Sequence, residues 1–213
     1  MPWRTQVLKV SLNNPEPNVI SKAVSILLNG GLVIYPTDTV YGLGANPFDT
    51  EAVRKVYLVK GRGPQPLPII TDSIESASKF AYITPLARKL MERFWPGPLT
   101  IVLKAKSEAP RKVLAGDTIG IRMPNHKVAL MLAKGIGGLI VGTSANLHGA
   151  QSPRNVDEAL AQLNGHVDLA LDSGSVIHGI PSTVVDATGS KLRIIREGVL
   201  KDEVFKTYFP NEI

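Results

Sequence analysis

Apolar positions along the chain fall into two spacings, and each spacing predicts its own kind of element. In residues 17–31, PNVISKAVSILLNGG, the side chains Ile20, Val24, Leu27 and Leu28 recur at helical spacing, and Asn29-Gly30-Gly31 supplies a stop. Residues 32–35, LVIY, are an unbroken apolar run of strand length, which predicts a buried strand. Asp49 or Thr50 can cap a second helix that turns Val53, Val56 and Tyr57 inward. The run PLPII at 66–70 predicts an edge strand, because proline cannot donate to a ladder. Thr84-Pro85 opens a third helix, with Leu86, Leu90, Met91 and Phe94 on one face, and WPGP at 95–98 ends it. Residues 99–103, 118–122 and 139–143 predict strands, and 126–134 a helix. A helix near 157–163, short strands at 169–171, 183–186 and 191–196, and a terminal helix over 201–208 complete the pattern.

Strands and helices interleave without strict alternation. That order predicts an α/β fold built on a twisted, mixed parallel and antiparallel sheet with flanking helices. No internal repeat, low-complexity tract or long linker interrupts residues 1–213, so they read as one domain.

Composition narrows the classes. Hydrophobic residues make up 44% of the 213, enough for a core, and the 20% that are charged are too few for a disordered chain. Cysteine is absent, which removes disulfides and thiolate metal sites. No apolar run reaches the roughly 18 residues of a membrane span, and no secretory leader pattern opens the chain, so a soluble cytoplasmic protein is expected. The formal charge of +6 favours anionic partners such as nucleotides or RNA, although many soluble domains are mildly basic.

Candidate chemistry gathers where apolar strands run into small or polar residues. PTDTVYGLG, at 36–44, places Thr37, Asp38 and Thr39 after the first apolar strand. KGRG, at 60–63, puts two cations two residues apart, suited to one phosphate or carboxylate. A solvated charge pair at a helix C-terminus explains the same four residues. The pattern is not a Walker loop. GTSANLHG, at 142–149, follows a strand and offers Thr143, Ser144 and Asn146 where ligands of open α/β sheets bind, or else a serine-capped helix start. Ser144 does not sit in a G-x-S-x-G elbow, so it is a poor nucleophile. The histidines, His126, His148, His166 and His178, are scattered and read as surface or loop residues. Asp38, Asp172 and Asp186 end strands, where isolated aspartates mostly form turns. Arg122 and Arg196 close strands, and a buried arginine needs an anionic partner. FWPGPLT, at 94–100, reads as architecture around Trp95.

Taken in order, GGLVIYPTDTVYGLGAN, KGRG with its following PL, FWPGPLT, IGIRMPNH, GTSANLHG, PSTVVD and IIREG resemble the YrdC-like family, the threonylcarbamoyl-AMP synthases of tRNA modification. The likeness runs from about residue 18 to 198. It implies the YrdC-like fold with a basic concave face. It implies a nucleotidyltransferase reaction, in which L-threonine, bicarbonate and ATP give threonylcarbamoyl-AMP and pyrophosphate. A second enzyme system then transfers the threonylcarbamoyl group to tRNA adenosine. By the same resemblance Lys60 and Arg62 are the catalytic cations, and with Thr143, Ser144, Asn146 and Arg196 they bind nucleotide. Thr37, Thr39, Arg122, Ser182 and Thr183 surround threonine. ATP is a substrate, its Mg2+ carried by ATP oxygens with no protein metal site. Alanine at Lys60 or Arg62 is then expected to remove turnover and leave thermal stability nearly unchanged.

The chain departs from the family pattern after KGR. Gly63 replaces a common proline, the spacer to PL is one residue short, and Ile70 stands where many members place a histidine. Many members also carry a further C-terminal domain, which is not expected in a chain ending at Ile213. Two alternatives stay open: a non-catalytic module binding tRNA, rRNA or duplex RNA on the same fold, and a paralogue with another substrate.

Overall fold

The computed structural model describes residues 4–212. Its strands are β1 (Gln6–Lys9), β2 (Val33–Tyr35), β3 (Gly42–Gly44), β4 (Ile69–Thr71), β5 (Leu99–Lys104), β6 (Thr118–Arg122), β7 (Leu139–Val141), β8 (Thr143–Ser144), β9 (Leu169–Asp172), β10 (Thr183–Asp186) and β11 (Arg193–Arg196). Its helices are α1 (Pro17–Leu28), α2 (Thr50–Lys60), α3 (Ile74–Phe80), α4 (Pro85–Phe94), α5 (Lys127–Gly135), α6 (Val156–Leu163) and α7 (Asp202–Tyr208).

The strands divide between two mixed sheets. One has the order β1-β9-β2-β3-β8 and the other β11-β10-β5-β6-β4-β7. The mixed α/β class is the expected one, but a single sheet does not hold all the strands. The reason lies at Gly142. The apolar run predicts one strand over 139–143, yet the chain leaves the second sheet after β7 and enters the first as β8. Gly142 makes that crossing in close contact, for a Cβ there would lie 2.6 Å from Ile70 Cγ1, and its N–H donates to Pro68 O at 2.8 Å.

Caps set the helix starts. The Asp49 side chain accepts from the N–H groups of Glu51 and Ala52, and Thr84 from that of Ala87. The inward face of α1 differs from the one expected. Ile20, Ala23 and Leu27 are buried, whereas Leu28 is 56% exposed. One residue turns a helix by about 100°, and on α1 the buried stripe runs through Ile20, Ala23 and Leu27, which leaves Leu28 on its outer side. The α2 and α4 faces hold, with Val53, Val56, Tyr57, Leu86, Leu90 and Met91 all buried. Phe94 is ringed by Phe205, Tyr208 and Phe209, which fastens α7 to α4.

The PLPII run is not an edge strand. Pairing starts at Ile69, after both prolines, and β4 lies between β6 and β7. With proline outside the ladder, nothing bars a central position.

Candidate active site

The site grows from alternation in the second sheet. Along β5, Leu99, Ile101 and Leu103 enter the larger apolar core, while Thr100 and Val102 face the other way. Along β6, Ile119 and Ile121 enter it, while Thr118, Gly120 and Arg122 oppose them. On β10, Val185 is in the core and Val184 opposes it, after Ser182. The opposed residues form the floor of a cleft of about 360 Å³. Thr39, Thr143 and Ser144 supply the wall from the first sheet, and Lys60 and Arg62 come from the end of α2. The remaining wall includes Pro66, Leu67, Pro68, Asn146, His148, Ser152 and Arg196.

Lys60, Arg62, Arg122 and Arg196 all line this cleft, and no Asp or Glu does so among the described residues. Four cations without a lining carboxylate make a site for anions.

Lys60 is not the solvated end of a helix. It is 3% exposed. Its Nζ donates to the carbonyls of Ser144 at 2.6 Å and Asn146 at 2.9 Å. Gly61, at φ 63°, ends α2 in the left-handed region and lets the chain turn to Arg62. Burial, with Arg62 adding a smaller push, lowers the Lys60 ammonium to about 8. Lys60 therefore loses charge as pH rises through about 8. Pyrophosphate affinity, followed by calorimetry from pH 7 to 9, is expected to fall across that window. A flat profile would contradict the assignment of Lys60 as an anion ligand.

Arg122 is held on three sides. Nε donates to Gly97 O at 2.9 Å, Nη1 to Thr39 Oγ1 at 2.7 Å, and Nη2 to Asp38 Oδ1. Desolvation pulls the guanidinium down and Asp38 opposes it. Arg196 donates to Ser182 O at 2.8 Å, and Ser182 Oγ meets Thr100 Oγ1 at 2.8 Å. The Asn146 amide donates to Leu147 O and Ala150 O, and its Oδ1 is buried without a protein partner.

Two of the candidate residues lie off the cleft. Thr37 directs its hydroxyl to Val40 O at 2.6 Å and accepts from the Thr39 N–H, which closes the turn. Thr183 donates to Leu200 O and accepts from the N–H groups of Gly198 and Leu200. Neither is among the lining side chains. Ser144 lies in β8, so it caps no helix. Asp172 holds Lys9 and the Gly174 N–H, and Asp186 holds Thr188 and Arg193, as turn formers. His126 is 6% exposed rather than a surface residue. Thr100, Thr118, Ser152 and His148 line the cleft although their motifs did not mark them. For Thr100 and Thr118 a signal existed, since each is the out-of-core partner in a period-2 strand.

A family model described as "Telomere recombination", Sua5_yciO_yrdC, matches residues 25–198. The chain belongs to this Sua5–YciO–YrdC family. A relative named putative threonylcarbamoyl-AMP synthase, from Methanocaldococcus jannaschii, is 39% identical over 94% of this chain and 96% of its own length. The threonylcarbamoyl-AMP synthase of Bacillus subtilis is 37% identical over 92% of this chain, which spans 57% of that longer relative. Among solved structures, P. abyssi Sua5 complexed with L-threonine superposes with a TM-score of 0.92 at 36% identity. It covers 98% of this chain and 62% of its own. Among the described residues of this family member, no helix is long and apolar enough to cross a membrane.

Proposed function

We propose that the chain is an L-threonylcarbamoyladenylate synthase, a nucleotidyltransferase making threonylcarbamoyl-AMP and pyrophosphate from L-threonine, bicarbonate and ATP. The observation that carries the reading is the cleft lined by four cations and, among the described residues, by no carboxylate. The names of the relatives, and the threonine held by the P. abyssi structure, support it.

The chemistry asks for alignment more than covalent help. Bicarbonate takes up a proton and loses water to give CO2, and the threonine amine adds to CO2 to form a carbamate, releasing a proton. A carbamate oxygen attacks the α-phosphorus, and pyrophosphate leaves with the bridging electrons. Lys60 and Arg62 neutralise the charge that builds on these oxygens. Thr143, Ser144, Asn146 and Arg196 hold the nucleotide. Arg122 takes the threonine carboxylate, with Thr39 and Ser182 beside it. Thr37 and Thr183 support that pocket through the turns they close. The carboxylate-free lining does not fit a protein-held Mg2+. In this reading Mg2+ rides on ATP oxygens. The chain acts in the cytoplasm as one domain, and its product passes to a second enzyme system that modifies tRNA.

Purified protein given ATP, threonine and bicarbonate is expected to release pyrophosphate only when threonine is present. Release independent of threonine, or none at all, would overturn the reading. The net charge of +6 supports RNA contact as a second reading. Its affinity should fall steeply with salt.

A further inference from the structure

Asp38 is 2% exposed and does not line the cleft. Its Oδ1 accepts from Arg122 Nη2, and its Oδ2 is buried without a protein partner. A buried carboxylate that leaves one oxygen unpaired is a poor device for stability, because desolvation is not repaid. What it does is fix a guanidinium. Gly97 O, Thr39 Oγ1 and Asp38 Oδ1 each take one N–H, from Nε, Nη1 and Nη2 in turn. Of the five N–H groups of an arginine, two stay available to an anion in the cleft.

We infer that Asp38 is a positioning residue: it holds the Arg122 fork in the orientation that receives a carboxylate, without touching that carboxylate itself. The inference rests on the proposed role of Arg122 in taking the threonine carboxylate. Arg122 is followed across the sheet by Ile70, its register partner on β4, which is apolar and offers the fork no alternative acceptor. Asp38 is therefore the only side-chain anion bonded to the fork among the described residues.

His126 is buried close enough to feel the charge of Asp38. It is 6% exposed, its Nδ1 is buried without a protein partner, and Asp38 is the charge that acts on it. Burial lowers its imidazole to about 4, so at neutral pH it carries no charge that would draw Asp38 away from Arg122.

The test compares Asp38→Ala with Asp38→Asn. Asparagine keeps an oxygen acceptor for Nη2, and alanine keeps none. For Asp38→Ala the KM for threonine is expected to rise about tenfold or more with kcat changed less than about threefold, since a misplaced fork weakens binding before chemistry. Asp38→Asn should recover most of that loss. If both variants lower the melting temperature and the active fraction but keep the wild-type KM, Asp38 is only structural and the inference fails. Competition by acetate and lactate, read by NMR on the same proteins, gives a readout without turnover. There too Asp38→Ala should weaken carboxylate binding and Asp38→Asn restore it. Wild-type protein inactive with threonine would overturn the proposed reaction, while this carboxylate comparison would still decide the role of Asp38. Should the alanine variant fail to fold, Asp38→Ser keeps the comparison with asparagine, and an unchanged carboxylate affinity in it overturns the inference.

Discussion

Arg62→Ala is expected to lower threonine-dependent pyrophosphate release by about a hundredfold or more, the loss typical of one removed oxyanion donor. Its melting temperature should stay within about 2 °C of wild type, since surface changes rarely exceed about half a kcal/mol. Arg62 is half-buried in the cleft wall, and its one side-chain partner is Gln65 Oε1 at a long 3.4 Å. Its Nε is buried without a protein partner, so the guanidinium does little for the fold and is available to a ligand. Lys60→Ala should lose as much turnover but also lose stability, contrary to what the KGRG loop suggested as sequence. The Asn146 carbonyl would lose its donor, while that of Ser144 would keep only the Asn146 N–H. One orphaned group of this kind costs about 1–3 kcal/mol. Pyrophosphate release and thermal unfolding, measured on both variants, separate the two roles. Arg62→Ala that keeps its turnover would remove Arg62 from the chemistry.

The largest effect on the fold is expected from Gly198→Ala. A Cβ at Gly198 would lie 2.3 Å from Pro181 O and 2.5 Å from the Ser182 carbonyl carbon. Both obstacles are backbone, so no rotamer change relieves them. The segment that must move carries Pro181 and Ser182, which line the cleft, and Val199 donates to Pro181 O across the same contact. Overpacking of this kind costs about 1–3 kcal/mol or more. At about 2–4 °C per kcal/mol in a chain this long, the melting temperature should fall by roughly 2–12 °C. Gly63→Ala is the control. Nothing lies within 4 Å of a Cβ there, and Gly63 has no positive φ. Differential scanning calorimetry reads both, and an equal effect at the two glycines would show that the contact at Gly198 yields easily.

Several elements were missed in the sequence for reasons that are physical. The helix α3 is only seven residues long and fully buries just Ser76 and Ala77, with Ile74 and Phe80 half-buried, so its apolar stripe is too short and too weak to read. The strand β3 is Gly-Leu-Gly, with poor strand propensity, and forms because Tyr35 packs where any Cβ on Gly42 or Gly44 would sit. The strand β8 has two residues and exists only because β3 offers it a register.

The strand β1 was also missed, and local rules, which need only neighbours in the chain, were enough for most of the other elements. Periodicity placed α2, α4 and the strands β2, β5 and β6, and short polar side chains marked the caps at Asp49 and Thr84. The order of seven motifs pointed to the family, and with it to the residues that could meet an anion. Tertiary structure alone decided which of those residues share one cleft. Thr37 and Thr39 are two apart in the chain, yet Thr39 bonds Arg122 while Thr37 closes a turn. Asp38 and Arg122 meet across a separation of 84 residues. Lys60, at the end of α2, is buried against two carbonyls of β8 and the turn after it, more than 80 residues away. Contacts of this range depend on how the two sheets cross at Gly142, and no local spacing encodes that crossing.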